Sequence, residues 1–393
     1  MEKTWRWFGK NDKITLSSLR QIGVEGIVTS LHDVPNGEIW TLEKILDLKN
    51  YIESYGLRWS VVESLPVCEA IKYGGAERDN LIENYIVSLK NLGKAGVKTV
   101  CYNFMPVIDW IRTDLSHKWE DGSSSLYFDL VRFAYFDIHI LERQAAEKDY
   151  SPEVIQKVKK LAATITEVEK DELIDTIIVK TQGFVNGNIT EKDKQPVALF
   201  KKLLDLYKGI DKEMLRENMR YFLEKIMPVC QKYDIDMCVH PDDPPRAVLG
   251  LPRIVTDEKD IEWLLQAVDN QHNGLTFCAG SLSAGIQNDV PLLAEKFASR
   301  TKFVHLRSTN ILPDGNFIEA RHLEGRAHLI DVVRIFEKQI KKSGKNLPMR
   351  IDHGRQMLDD SGKGYNPGYS FLGRMHALAQ IEGVIAVVQD ELK

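Results

Sequence analysis

Apolar and polar positions along the chain follow two alternating patterns. Short runs rich in β-branched and aromatic residues recur, and longer stretches with apolar residues at helical spacing lie between them, as in residues 41–56, 78–96 and 215–234. Strands that alternate with helices predict an α/β protein with a parallel sheet, and eight strands favour a closed (β/α)8 (TIM) barrel over an open sheet. The eight predicted strands are residues 4–9, 26–31, 57–64, 98–104, 236–241, 275–280, 303–308 and 349–354.

One long segment interrupts this rhythm. Residues 114–209 separate the fourth and fifth predicted strands and contain long, charged helical patterns. A connection of this length normally carries its own structure rather than forming a bare loop. We therefore predict one barrel domain over residues 1–393 with a helical insertion at 114–209, which caps the barrel or contacts another subunit of a homo-oligomer.

Composition narrows the possible partners and compartment. The net charge is −5 and no basic stripe stands out, which argues against nucleic-acid binding. No apolar run approaches the ~18 residues of a membrane span, and the N-terminal residues lack the apolar segment of a signal peptide. The five cysteines show no CxxC spacing, which argues against a disulfide framework. We predict a cytoplasmic protein.

Four candidate metal ligands stand at the ends of four successive predicted strands: His240, Cys278, His305 and Asp352. The C-terminal ends of parallel barrel strands converge on one rim, so these side chains are expected to meet. Imidazole, thiolate and carboxylate together suit a divalent transition metal better than calcium or magnesium. A single histidine or cysteine is more often structural, but four at equivalent positions predict a metal site.

The other cysteines and histidines near these strands are predicted to be structural. His322 and His328 follow the seventh strand, where surface positions are expected. Four cysteines are assigned to core packing: Cys68, Cys101, Cys230 and Cys238.

Polar residues near the same rim are candidates for contact with a substrate. Arg307, two residues after His305, could hold a carboxylate through two hydrogen bonds or form a structural salt bridge. His353 and Tyr369 are candidate proton-transfer groups, because neither is needed to complete the metal shell. Glu63, near the end of the third strand, could also face the barrel mouth.

Several motifs resemble those of the mannonate dehydratase family of xylose-isomerase-like barrels. HPDDPPR (240–246), FVHLRST (303–309) and NPGYS (366–370) are the most specific, and the resemblance covers essentially the whole chain. It implies the same four metal ligands and an acid–base pair at His353 and Tyr369. DHGR stands where some long members have DHGH, which affects only the expected substrate contacts.

The resemblance implies a hydro-lyase that converts D-mannonate to 2-keto-3-deoxy-D-gluconate in hexuronate breakdown. Four protein ligands leave open positions on a five- or six-coordinate ion, which favours Mn²⁺ or Fe²⁺ over a closed tetrahedral Zn²⁺ site. Which residue of the acid–base pair is the base stays open. The alternative is a metal-dependent sugar isomerase or epimerase, for which mainly carboxylate ligands are expected; an endonuclease would need a basic groove.

Overall fold

Eight parallel strands close into a barrel in the computed structural model, which describes residues 1–183, 189–190 and 192–393. Around the barrel the strands follow the order β1, β2, β3, β4, β7, β8, β9 and β12. Each of the eight predicted strands overlaps one of these, so the predicted (β/α)8 barrel is confirmed. The barrel strands are β1 (Glu2–Arg6), β2 (Gly26–Thr29), β3 (Arg58–Glu63), β4 (Thr99–Tyr102), β7 (Asp236–Val239), β8 (Asn273–Cys278), β9 (Thr301–Leu306) and β12 (Pro348–Ile351).

Helices between the strands pack their apolar sides around the barrel. In α14 the buried residues Leu329, Val332, Val333 and Phe336 recur at the spacing of one helix face. The Phe336 ring meets Phe277 of β8 at 5.2 Å, which joins this helix to the sheet. The α-helices are α1 (Leu16–Gln21), α2 (Leu42–Glu53), α3 (Glu69–Tyr73), α4 (Arg78–Ala95), α5 (Leu130–Tyr135), α6 (Pro152–Ala162), α7 (Glu167–Ile174), α8 (Thr181–Gly183), α9 (Pro196–Asp205), α10 (Lys212–Tyr233), α11 (Glu258–Ala267), α12 (Ala279–Ser283), α13 (Val290–Phe297), α14 (Leu329–Ser343) and α15 (Leu372–Glu391).

The sequence predicts a helical insertion between β4 and β7, but only part of this segment is helical. It contains a β-hairpin, which joins two short strands after β9 in an antiparallel sheet of order β10-β11-β6-β5. Phe128 stacks on Phe317 across this sheet at 5.0 Å, and the next helix begins only after Asp129, whose side chain accepts two backbone N–H bonds. The apolar pattern there fits a strand followed by a helix. The strands of this sheet are β5 (Asp114–Lys118), β6 (Ser124–Phe128), β10 (Thr309–Ile311) and β11 (Phe317–Glu319).

The helical part of the insertion has a hydrophobic core of its own. Phe133, Phe136 and Phe200 are buried in it, and Leu249 and Leu251 from the connection after β7 complete it. The insertion is thereby packed onto the barrel loop that follows β7. Among the described helices, none is both long enough and apolar enough to cross a membrane.

Candidate metal centre and active site

Three of the four predicted metal ligands meet at the C-terminal rim of the barrel. The candidate ligand atoms of His240, Cys278 and His305 all lie within 4.8 Å of one another, and we call these three residues the metal cluster. His240 directly follows β7, Cys278 ends β8 and His305 lies in β9. Cys278 and His305 are also register partners on neighbouring strands. Convergence of strand ends therefore assembles this group.

Asp352, the fourth predicted ligand, borders the metal cluster but is shared with two arginines. Its Oδ2 lies 3.6 Å from Cys278 Sγ and 4.0 Å from His305 Nδ1. Arg350 donates to its Oδ1 at 2.6 Å, and Arg307 donates to its Oδ2 at 3.1 Å. The carboxylate is within reach of an ion in the cluster, and the guanidinium groups hold it there.

The metal cluster fits a divalent transition metal. His240 Nδ1 donates to the Pro241 carbonyl at 2.7 Å, which leaves Nε2 available as a ligand atom. His305 Nδ1 is buried and lacks a hydrogen-bond partner among the described residues, and such an atom is costly unless a ligand engages it. Ser281 donates to Cys278 Sγ from its hydroxyl at 3.1 Å. Two imidazole nitrogens and one sulfur form a donor set typical of such metals.

The electrostatics of the cluster also favour a cation there. Burial works to lower the pKa of His240, but the neighbouring Cys278 side chain raises that pKa to about 10. His305 differs, because burial and the nearby Arg350 hold its pKa well below the usual value. For Asp352, burial opposes ionisation, yet Arg350 holds the carboxyl pKa well below its usual value. The side chains of Cys278 and Asp352 beside His240 thus favour positive charge at the cluster, which a bound metal ion would supply.

Two adjoining cavities give access to this centre. The inner cavity, about 70 Å³, is lined by the His240 side of the cluster and by Asp352, His353 and Tyr369. The outer chamber, about 400 Å³, shares three lining residues with it. Small-molecule pockets usually measure about 300–1,000 Å³, so the two together have a suitable size. The shared residues are Ser64, Asn103 and Asp109.

A larger cavity lies elsewhere. It measures about 910 Å³ and is formed between the insertion and residues 246–253. It contains none of the metal cluster, so the donor atoms rather than the volume locate the candidate centre.

The predicted proton-transfer residues are neighbours in the inner cavity. The His353 and Tyr369 rings are 5.3 Å apart and nearly perpendicular. His353 Nδ1 lies 3.1 Å from Glu319 Oε1 and 2.9 Å from Arg307 Nη1. Burial raises the pKa of Tyr369 to about 12, so its hydroxyl keeps its proton at neutral pH. Gly368 has φ +80°, and a Cβ there would come within 3.0 Å of the His353 ring, so glycine lets this loop lie against the histidine.

Arg307 is occupied by protein carboxylates. It lies 2.8 Å from Asp243, 3.1 Å from Asp352 and 3.3 Å from Glu319. Glycine at position 280 makes room for it, because a Cβ there would lie 1.9 Å from Arg307 Nε. Of the two roles that the sequence allows for Arg307, these contacts favour the structural salt bridge. A contact between Arg307 and a substrate carboxylate stays a prediction.

The sequence did not indicate the partners that surround these residues. Arg112 donates to Asp243 at 2.9 Å and to Glu319 at 2.8 Å, and all three side chains are buried. Arg112 precedes β5 and Glu319 ends β11, so both depend on the antiparallel sheet for their position. The two adjacent aspartates of HPDDPPR could have indicated Asp243 as a site residue. No local sequence pattern marks Arg112 or Glu319. Glu63 faces the barrel mouth, and Arg350 donates hydrogen bonds to both of its carboxylate oxygens at 2.9 Å.

The prediction that His322 lies at the surface is wrong. Its side chain is buried, and burial lowers its pKa to about 4. The short strands β10 and β11 fold this connection back over the barrel, which sequence periodicity did not reveal. His328 is exposed as expected. Among the cysteines assigned to the core, Cys68 is only half-buried, whereas Cys101, Cys230 and Cys238 are buried.

Comparison with known proteins identifies the family. The sequence profile of the D-mannonate dehydratase (UxuA) family matches residues 1–393. This chain belongs to that family. It is 45% identical over 390 residues to the mannonate dehydratase of Marinomonas sp. (strain MWYL1), covering 98% of each chain. It is 41% identical over 394 residues to the mannonate dehydratase of Chromohalobacter salexigens, covering 99% of each.

Solved structures agree with this membership. The mannonate dehydratase of Streptococcus suis serotype 2 has a TM-score of 0.78 and 33% identity, covering 100% of this chain and 96% of that one. The D-psicose 3-epimerase of Clostridium cellulolyticum H10 has a TM-score of 0.51 at 10% identity, covering 98% and 99%, and shares the barrel fold. The family resemblance is confirmed, the chain is a hydro-lyase, and the isomerase or epimerase alternative is not supported.

Proposed function

We propose that this chain removes water from D-mannonate to give 2-keto-3-deoxy-D-gluconate, as a cytoplasmic step of hexuronate breakdown. The observation that carries the proposal is a metal-binding donor set, His240, Cys278 and His305, beside the paired rings of His353 and Tyr369. Membership of the D-mannonate dehydratase family supplies the substrate.

The proposed cofactor is Mn²⁺ or Fe²⁺, held by the metal cluster together with Asp352. Such an ion, when bound, polarises substrate oxygens and stabilises the negative charge that develops on the substrate. The sulfur ligand supports this choice, because thiolates favour softer ions over Mg²⁺.

The proton transfers are assigned to the two residues that share the inner cavity. Loss of the C2 proton, which lies alpha to the carboxylate, leaves an electron pair that expels the 3-hydroxyl, and this group needs a proton to depart as water. We assign the Nδ1 hydrogen of His353 to a hydrogen bond that Glu319 Oε1 accepts, rather than letting Nδ1 accept from Arg307 Nη1 at 2.9 Å; His353 Nε2 then has a lone pair and suits the base. Tyr369 retains its proton, since its pKa is raised to about 12, and suits the acid. The resulting enol then becomes the ketone.

The polyol chain of the substrate is proposed to extend into the outer chamber. The inner cavity, at about 70 Å³, is well below the usual size of a ligand pocket. Asn103 and Asp109 line both spaces and offer polar groups to hydroxyls at the passage between them. The reacting carbons would then lie at the metal cluster and the remaining carbons beyond the passage.

The proposal is tested by assaying metal-stripped protein for a 2-keto-3-deoxy acid with D-mannonate. We expect Mn²⁺ or Fe²⁺ to restore activity and Mg²⁺ to restore little. D-Mannose, offered under the same conditions, is the control for an isomerase. Conversion of the aldose without conversion of D-mannonate would refute the proposal, and equal rescue by Mg²⁺ would remove Cys278 from the ligand set.

We also propose a homo-oligomer in which residues 114–209 cap the barrel or contact a partner subunit. The hydrophobic core that the insertion shares with the connection after β7 supports packing against the barrel. Light scattering coupled to gel filtration measures the mass directly, and a mass near 44.9 kDa would contradict this proposal.

A further inference from the structure

The three arginines that line the inner cavity differ in how they are paired. Arg307 lies within 3.3 Å of three carboxylate groups. Arg350 binds both oxygens of Glu63 at 2.9 Å and Asp352 at 2.6 Å. For Arg6, the only carboxylate contact within 4 Å among the described residues is Glu63, at 3.9 Å from Nη1, and this Nη1 is buried without a hydrogen-bond partner in that part of the chain. Of the three guanidinium groups, that of Arg6 is therefore the one best able to bind a further anion.

Strand alternation aims Arg6 into the cavity. In the run Trp5-Arg6-Trp7-Phe8 the two tryptophans are buried in the main hydrophobic core, whereas Arg6 and Phe8 line the inner cavity. The Arg6 guanidinium lies 5.1 Å from the centre of the Phe8 ring, which limits its freedom. The sequence pattern alone thus separates a core face from a cavity face at the end of β1.

Strand register places Arg6 beside the metal centre. Thr4 of β1 pairs with Arg350 of β12, so Arg6, two residues further along, stands level with Asp352. Arg6 is 8% exposed. A buried cation without a close partner is unfavourable, and a bound anion removes that cost.

We propose that Arg6 binds the carboxylate of the substrate and thereby selects sugar acids over neutral sugars. This inference rests on the proposed dehydration and deepens it by naming the residue that recognises the acid group. A guanidinium matches a carboxylate with two parallel hydrogen bonds. As the C2 proton leaves, negative charge builds up on the carboxylate oxygens, so the contact with Arg6 strengthens toward the transition state. Arg6 acts on binding and on turnover.

The test compares ligands that differ only at C1. A 3-deoxy aldonate lacks the departing hydroxyl and cannot react, and the matching 3-deoxy alditol lacks the carboxylate as well. Dissociation constants for both are measured by calorimetry on the Mn²⁺-loaded protein. Wild type should bind the acid more tightly than the alditol. Arg6→Met should weaken the acid on the order of 10- to 100-fold, the usual worth of a charged hydrogen bond, and leave the alditol unchanged.

Two further variants make the result specific. Lys3→Met removes the same charge from the same strand, but Lys3 pairs with Glu382 outside the cavity, so the preference for the acid should persist. Arg6→Lys keeps the charge and loses the two-pronged geometry, so an intermediate loss is expected, and this variant serves if Arg6→Met does not fold. Metal content and circular dichroism should match wild type.

Equal weakening of the acid and the alditol in Arg6→Met, or no weakening of either, would overturn the assignment. So would a wild-type protein that binds both ligands alike. The comparison needs no turnover, so a wild type that discriminates between them but fails to dehydrate D-mannonate would refute the proposed reaction and not the role of Arg6.

Discussion

The two sides of the active site are built from different parts of the chain. On one side, His240, Cys278 and His305 extend directly from successive barrel strands. On the other, His353 meets Glu319, which is carried by the antiparallel sheet. The barrel side follows from a repeated geometry, whereas the sheet side depends on segments inserted between the repeats. We infer that metal binding and the orientation of the proton-transfer residues can be disrupted separately.

The largest effect is expected on the barrel side. Cys278→Ala removes the sulfur from the metal cluster, so the protein should lose bound metal and nearly all dehydratase activity while the barrel stays folded. Elemental analysis after dialysis and circular dichroism measure the two properties. Cys238→Ala is the matched control, because Cys238 is buried in a separate cluster inside the barrel. Full metal occupancy in Cys278→Ala would show that this thiol is not a ligand.

The next largest effect is expected where the two sides meet. His353→Asn and Tyr369→Phe should keep metal and substrate binding but lower kcat by about 100- to 10,000-fold, the range typical of general acid–base groups. Exchange of the C2 proton with solvent deuterium, followed by NMR, distinguishes the roles. It should disappear in the histidine variant and persist in the tyrosine variant. Exchange that survives in both would mean that another residue takes the proton.

A smaller effect is expected on the sheet side. Glu319→Gln weakens the contact that holds His353, so kcat should fall roughly 10- to 100-fold, as when a carboxylate that orients a metal-bound histidine is removed. Metal content should not change, and Glu319→Asp should recover part of the loss. The control is Glu324→Gln, at an exposed position in the same connection. Loss of metal from Glu319→Gln would show that the two sides are not separable.

The smallest expected effect concerns stability against acid. His322 is buried with a pKa lowered to about 4, whereas an unfolded histidine titrates near 6.5. Between about pH 4 and pH 6.5, His322 is protonated in the unfolded chain but not in the folded protein. The free energy of unfolding therefore falls as the pH drops from about 6.5 to about 4. His322→Asn should reduce this loss by roughly 1–3 kcal/mol, since each unit of pKa difference corresponds to about 1.4 kcal/mol. Urea unfolding at pH 7 and pH 5 measures it; the exposed His328→Asn should behave like wild type.

The same division explains what the sequence could predict. Period-two alternation and strand spacing are local, so the barrel and the convergence of His240, Cys278 and His305 could be inferred without a structure. The contact between Arg112 and Glu319 spans 207 positions, and no local pattern specifies it. Burial of His322 and the contact between Arg307 and Glu319 have the same origin, because both depend on how the antiparallel sheet folds back over the barrel. Contacts between residues far apart in the chain are therefore what the sequence could not predict.

The antiparallel sheet has a consequence for the order in which the protein assembles. Phe128 of β6 pairs with Phe317 of β11, and three barrel strands, β7, β8 and β9, lie between them in the sequence. During synthesis from the N-terminus, β6 keeps one unpaired edge until β11 emerges. Closing the long loop between β6 and β11 costs conformational entropy. This cost is offset when the barrel strands between them pair first and bring β6 and β11 together. We therefore expect Glu319 to reach His353 late in folding, and the β6 edge of the newborn chain to be open to aggregation until β11 pairs with it.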